Sequence, residues 1–316
     1  MQQHRPPRTS CLALAAACVW LLPGAAQALE LGDELSVGVI NAGHLRSSFV
    51  SNELEMELDL TDVLSVSASA GVTHVFPTQL FRSSPFTHFG LGVAFEISQH
   101  VELDLELHAA PRNTVDQTTG EPGDSYVFRT LAHAFGGEIA AGYAAPGPGP
   151  LTAHVEVALG ITHYSAHEQV LESASGPLTA DDAFGLSQLH GSLTYMLSWL
   201  CHSLTVSGSY YVYRADQQTA DRDTLFVVDG LPLEPVRYAL RPTLTEQLGA
   251  LELSVHMQYA KYISGLGFGW NAGARLELEL SDTVDVSLST DVARALYAEA
   301  SRFTVFTTSV AVSIAL

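Results

Sequence analysis

Lysine is all but missing from this chain, where Lys261 is the only one in 316 residues. Lysine and arginine together number 14 against 34 acidic residues, for a net charge of −20. A balance this acidic argues against nucleic acid or an anionic lipid surface as the partner that its charge serves, because both are held by clustered basic side chains. Cysteine is nearly as scarce, with Cys11, Cys18 and Cys201 the only three. No stretch of about 18 apolar residues is present, which excludes a transmembrane helix. Apolar positions at i, i+3 and i+4 are rare throughout, so amphipathic helices are not expected.

The longest apolar run lies at the start. His4, Arg5 and Arg8 precede an apolar stretch from Cys11 to Leu22, and Ala26-Gln27-Ala28 supplies a small-x-small cleavage site. A secretory signal peptide is expected over 1–28, with one mature domain over 29–316. Its removal takes two arginines and no acid, leaving 12 basic residues against 34 acidic ones, a net charge of −22. It also removes two of the three cysteines. Cys201 then has no partner, and an internal disulfide is excluded.

What fills the rest is alternation. In "ELEMELDLTDVLSVSASAGV", residues 53–72, Leu54, Met56, Leu58 and Leu60 fall on one side and Glu53, Glu55, Glu57 and Asp59 on the other. A period of two is the mark of a strand. The same strand–turn–strand pattern returns in "AFEISQHVELDLEL" at 94–107 and in "ARLELELSDTVDVSLS" at 274–289. Strand candidates fall near 31–41, 48–60, 63–76, 86–97, 101–110, 126–143, 151–165, 184–199, 203–214, 243–258, 265–280, 283–293 and 302–316. Most are 10 to 18 residues long, whereas strands of globular proteins average about five or six and a tilted bilayer-spanning strand needs about 9–11. Short connectors at 61–62, 98–100, 144–150 and 281–282 alternate with long polar ones at 77–85, 111–125, 166–183 and 215–242.

Long strands, short turns at one end, long loops at the other and a final strand "FTVFTTSVAVSIAL" running to the C-terminus resemble the Gram-negative outer-membrane β-barrels. The resemblance implies an all-β fold, a single antiparallel up-and-down transmembrane β-barrel with short periplasmic turns and long external loops. It implies an even strand number. Thirteen candidates are therefore one wrong, and the region 215–262, with "TLFVVDGLPLEPVRYALRP", is where a strand is hidden or invented. Fourteen strands are expected, with 12 as the alternative. The resemblance also implies outer-membrane localisation, outer-membrane lipid and lipopolysaccharide as surroundings, and the barrel assembly machinery as a partner. Oligomeric state is not legible.

In such a barrel the leucine side of residues 53–60 meets lipid and the acidic side meets water. Strand parity then assigns Glu53, Glu55, Glu57, Asp59, Glu102, Asp104, Glu106, Glu277, Glu279 and Asp285 to the pore lining, with Glu34 and Glu96 beside them. Fixed carboxylates that outnumber the available cations favour passage of cations. The expected function is a porin-like channel or transporter for small polar or cationic solutes. A plugged surface barrel acting through its loops is the first alternative. His74, His108, His154, His190 and His256 are also assigned to the lumen, on strands too scattered for a metal site, and no cofactor is expected. Glu55, Glu57 and Asp59 lack the spacing of a calcium loop.

One motif points to an enzyme. "THYSAHEQ" at 162–169 sets His163 and Ser165 two apart on the outward parity, similar to the His-x-Ser of outer-membrane lipid A 3-O-deacylases. That resemblance implies His163 as base, Ser165 as nucleophile and Glu168 or Glu172 as the orienting acid. The pattern covers three residues, and the Asn that follows the Ser in that family is Ala166 here. No enzymatic activity is the expectation, and a lipid-modifying hydrolase is the second alternative.

Overall fold

The computed structural model describes residues 28–42, 45–77, 81–83, 85–119, 126–173, 181–215, 226–228, 231–233, 236–262, 268–296 and 302–316. The expected signal peptide lies outside these except for Ala28, the first residue of the first strand.

Fourteen strands form the wall. They are β1 (Ala28–Ala42), β2 (Leu45–Thr61), β3 (Leu64–Val75), β4 (Phe86–Ser98), β5 (Val101–Thr119), β6 (Tyr126–Pro146) and β7 (Leu151–Ser173). Then follow β8 (Asp181–Trp199), β9 (His202–Ala215), β10 (Val236–Leu248), β11 (Leu251–Tyr262), β12 (Phe268–Ser281), β13 (Val284–Leu296) and β14 (Arg302–Ala315). Each pairs antiparallel with its neighbours in sequence, and β14 closes on β1, with Leu35 opposite Val310. Phe81–Ser83 adds a short strand beside the end of β5, and Phe226–Val228 pairs with Leu231–Leu233. No helix occurs among the described residues.

The strand left uncounted by the sequence lies where the count went wrong. The candidate at 243–258 is two strands, β10 and β11, joined by a tight turn at Gly249 and Ala250. Gly249 has φ +71°, a conformation that costs glycine nothing. The expected loop at 215–242 ends at 235, because β10 begins at Val236. Strands β5, β7 and β8 also run into the stretches read as loops at 111–125 and 166–183. The termini meet at the short-turn end, where Leu316 N donates to Leu29 O at 2.8 Å.

Why these segments form a closed wall follows from their two faces. Leu35 and Val37 on β1, Phe89, Leu91, Val93, Phe95 and Ile97 on β4, and Val157, Leu159 and Ile161 on β7 hold one parity per strand and stay exposed. Every buried side chain among the described residues has the opposite parity, including Ile40, Val75, Phe86, Thr162, Gln188, Ser287 and Ser309. The polarity is thus inverted relative to a water-soluble barrel, with apolar surface outside. Outward Tyr238, Tyr259 and Phe268 form an aromatic ladder across β10–β12, with ring centroids 6.3 and 6.0 Å apart, as at a membrane–water boundary. Strand lengths of 12 to 23 residues suffice to cross a bilayer.

The turn after Trp199 carries the one non-glycine residue with positive φ among the described residues, Leu200 at 55°. A left-handed conformation costs a branched side chain about 1–2 kcal/mol, whereas Asn tolerates it. Leu200→Asn is expected to raise the free energy of unfolding by about 1 kcal/mol, read from guanidinium titration of the barrel in phosphocholine micelles. An unchanged midpoint would show that the turn holds no strain.

Candidate functional site

The inner face is built by parity alone. On β1 and β2 it carries Glu30, Glu34, Glu53, Glu55, Glu57 and Asp59. On β4 and β5 it carries Glu96, Glu102, Asp104 and Glu106, and on β12 and β13 Glu277, Glu279, Asp285 and Asp291. The ten carboxylates assigned to the pore lining from sequence therefore share one face of the wall. Parity adds Glu138 on β6, Glu156 on β7 and Glu252 on β11, so the acids extend well beyond the closure seam. The inner faces of β8, β9 and β10 carry hydroxyl, aromatic and arginine side chains instead, among them Ser203, Thr205, Ser207, Ser209, Tyr211, Tyr213 and Arg241.

Register brings many of these acids face to face. Glu30 lies opposite Glu57, Glu34 opposite Glu53, Glu96 opposite Glu102, Glu106 opposite Glu138, Glu252 opposite Glu277, and Glu279 opposite Asp285. Like charges directly opposite across two strands repel. Within these pairs Arg275 contacts Glu277 at 2.9 Å. Glu55, Glu57, Glu102, Glu106 and Glu279 are exposed on this inward face.

A second arrangement repeats three times. Glu53, Gly71 and His88 stand in one row across β2, β3 and β4. Glu138, Gly160 and His190 do the same across β6, β7 and β8. Asp291, Gly273 and His256 do so across β13, β12 and β11. The acid and histidine of each row sit two strand spacings apart, about 10 Å between Cα atoms. The bare glycine between them lets the imidazole lie across the middle strand, where any Cβ would collide with a row side chain. His88 Nε2 is 3.1 Å from Glu53 Oε1, His256 Nε2 is 2.9 Å from Asp291 Oδ1, and His190 Nε2 contacts Glu138 Oε2. His108 crosses Gly136 in the same way to reach Thr162 Oγ1 at 3.0 Å.

The three row glycines lie seven to nine residues from the short-turn ends of their strands. At about 3.3 Å per residue and a tilt near 40°, that is about 20 Å above the turns, a common level near mid-height. Sequence reasoning missed His88, Glu138 and Asp291, and an inward glycine flanked by an acid and a histidine is visible only once register is known. His74 is a correction. It stands opposite Val50 and keeps step with Val72 and Phe76, so it lies on the outer face, its ring edge-on to Phe76 at 5.2 Å. The alternating Ser and Ala of residues 65–70 give too little contrast to carry parity up to it.

Near the loop end the inner face carries buried apolar side chains beside Ser47 and Thr73. Ile40, Phe49, Val75, Phe86 and Val305 on β1, β2, β3, β4 and β14 are all buried. Across from them Tyr164 donates to Gln188 at 3.0 Å, Gln188 to Tyr213 at 3.1 Å, and Tyr213 to Val236 O at 2.7 Å.

His163 and Ser165 lie on the outer face of β7, opposite Phe135 and His133. His163 Nδ1 is 3.1 Å from Ser187 Oγ on β8, and no hydrogen bond joins it to Ser165 among the described residues. The side chains of Glu168 and Glu172 lie outside the described ones. Among the described residues no group of three or more His, Cys, Asp or Glu is placed to hold a metal ion.

No family model matches the chain, and no curated protein matches its sequence. Solved structures do. The CymD monoaromatic hydrocarbon channel is 10% identical, with a TM-score of 0.58 over 91% of this chain and 88% of its own. A Pseudomonas aeruginosa FadL homologue is 9% identical, with a TM-score of 0.55 over 91% and 89%. The Pseudomonas putida toluene transporter TodX is 11% identical, with a TM-score of 0.50 over 95% and 91%. The fold is that of the outer-membrane β-barrel class, with no narrower family assigned.

Proposed function

We propose that this chain is an outer-membrane channel for small cations and cationic polar solutes, its lumen lined by the inward carboxylates. The observation that carries this reading is the set of six carboxylate pairs held face to face on the inner wall. Such pairs are costly unless counter-ions occupy the space before them. A surplus of 34 acids over 14 basic residues across the chain leaves mobile cations to supply that charge. The fold shared with channels and transporters supports passage through the wall, and the N-terminal signal pattern supports export.

Hydrocarbon, which the names of two similar structures specify, suits this interior poorly. Between the short turns and the three histidine rows carboxylates and hydroxyls dominate the inner face, and an apolar solute would have to displace water from both without replacing its hydrogen bonds. Electrophysiology tests the proposal directly. Purified barrel in a planar bilayer under a KCl gradient is expected to give a reversal potential of cation-selective sign. Anion selectivity, or folded protein that conducts nothing, would overturn it in favour of a closed surface barrel.

A further inference from the structure

One carboxyl group faces the wrong way. Asp33 lies on the outer parity of β1, between Leu29 and Leu31 below and Leu35, Val37 and Val39 above, and its side chain is exposed. It stands opposite Leu54 on β2 and Val312 on β14. Leu54 is seven residues above Thr61, which sets Asp33 at about 18 Å above the short turns, inside an apolar band about 25 Å tall. The other outward carboxylates among the described side chains, Glu246 and Asp116, sit toward strand ends. An ionisable group within the membrane band is costly there and marks a functional contact.

Its neighbour is polar as well. Asn52 Nδ2 donates to Asp33 Oδ1 at 2.6 Å and to Glu34 O at 3.3 Å, which uses both amide hydrogens. One oxygen of Asp33 and the amide oxygen of Asn52 remain, and acyl chains offer neither a partner. In its acid form Asp33 has one O–H to give and Asn52 one oxygen to receive it. The pair is therefore self-complementary, and a second copy turned about a two-fold axis satisfies both ends twice. Beside it on β3, the outward Ala68 and Ala70 stand opposite Met56 and Leu54. Small side chains next to a polar one allow two walls to approach closely in lipid.

We infer that the outer face of β1–β3 binds a second copy of this chain, through an exchange of hydrogen bonds between the Asp33–Asn52 pairs. This inference is independent of what the lumen conducts. Single-molecule photobleaching of labelled protein in dilute proteoliposomes tests it. Wild type is expected to bleach in two steps, and Asp33→Leu/Asn52→Leu in one, with at least a tenfold loss of the dimeric fraction. Asp33→Asn, which can still donate and accept, is expected to keep the dimer. Ala70→Trp leaves the polar pair intact and blocks approach, so it reports even if the double variant does not fold. One-step bleaching of wild type, or a dimer indifferent to both the double variant and Ala70→Trp, would overturn the inference.

Discussion

Replacing Glu57, Asp59, Glu102, Asp104, Glu277 and Glu279 together by Gln or Asn is expected to move the reversal potential under a KCl gradient most of the way to zero. The six stand on three separate strands of the inner wall, and four of them, Glu57, Glu102, Glu277 and Glu279, face another carboxylate across the sheet. Fourteen strands about 4.8 Å apart and tilted near 40° enclose a backbone radius of about 14 Å. Side chains reduce the open radius to about 8 Å, which is close to the Debye length at physiological salt. A wall charge is therefore felt at the axis in dilute salt. At 1 M, where the Debye length is about 3 Å, it is not, and the wild-type bias should fade without any substitution. The barrel should survive the change, because each relieved like-charge pair returns about 0.2–1 kcal/mol. Circular dichroism and heat-modifiable migration check the fold. Selectivity that ignores the six substitutions would place the filter in the loops.

Acidification from pH 7 to pH 5 is expected to lower the same bias in wild type, in part. Imidazole changes charge within this interval and carboxylate largely does not. Each row sets one imidazole against one carboxylate, Glu53, Glu138 or Asp291, so a proton gained by a ring would offset that charge. The groups facing the rings are few. His88 meets Glu53, with Glu34 opposite that acid; His190 meets Glu138 and the ring of Tyr211, with Glu106 beyond; His256 meets Asp291 and Asn271. His108 and His154 also face inward. The variant His88→Gln/His190→Gln/His256→Gln should therefore keep more of its cation preference at pH 5 than wild type does. Equal pH curves for the two would assign the response to other groups.

How much of this was legible in sequence depended on contrast between neighbouring residues. Glu53 to Leu60 alternates charge with leucine or methionine, so the face of each residue was readable there. The hairpin at Gly249 was missed although its signal was present. Leu244 and Leu248 point outward on even numbers, Leu251 and Leu253 on odd ones, and a parity that switches within a candidate strand means that the chain has turned back. The strand ends at 111–119 and 166–173 read as loops because polar residues fill both faces once a strand rises above the membrane. Asp33 was visible as an interruption in the leucines of β1, but its hydrogen bond to Asn52 needed the register of two strands. The histidine rows required three.

Those rows also bear on how the wall reaches its alignment. Sliding one strand past another by a single residue exchanges the oily and wet faces, an error that the surrounding lipid rejects at once. A slip of two residues leaves every face where it belongs, and hydrophobicity cannot detect it. At Gly71, Gly160 and Gly273 such a slip sets a side chain beneath an imidazole that has room only over bare backbone. Each row thus proofreads three strands at once, and together they cover β2–β4, β6–β8 and β11–β13, nine of the fourteen strands in the wall.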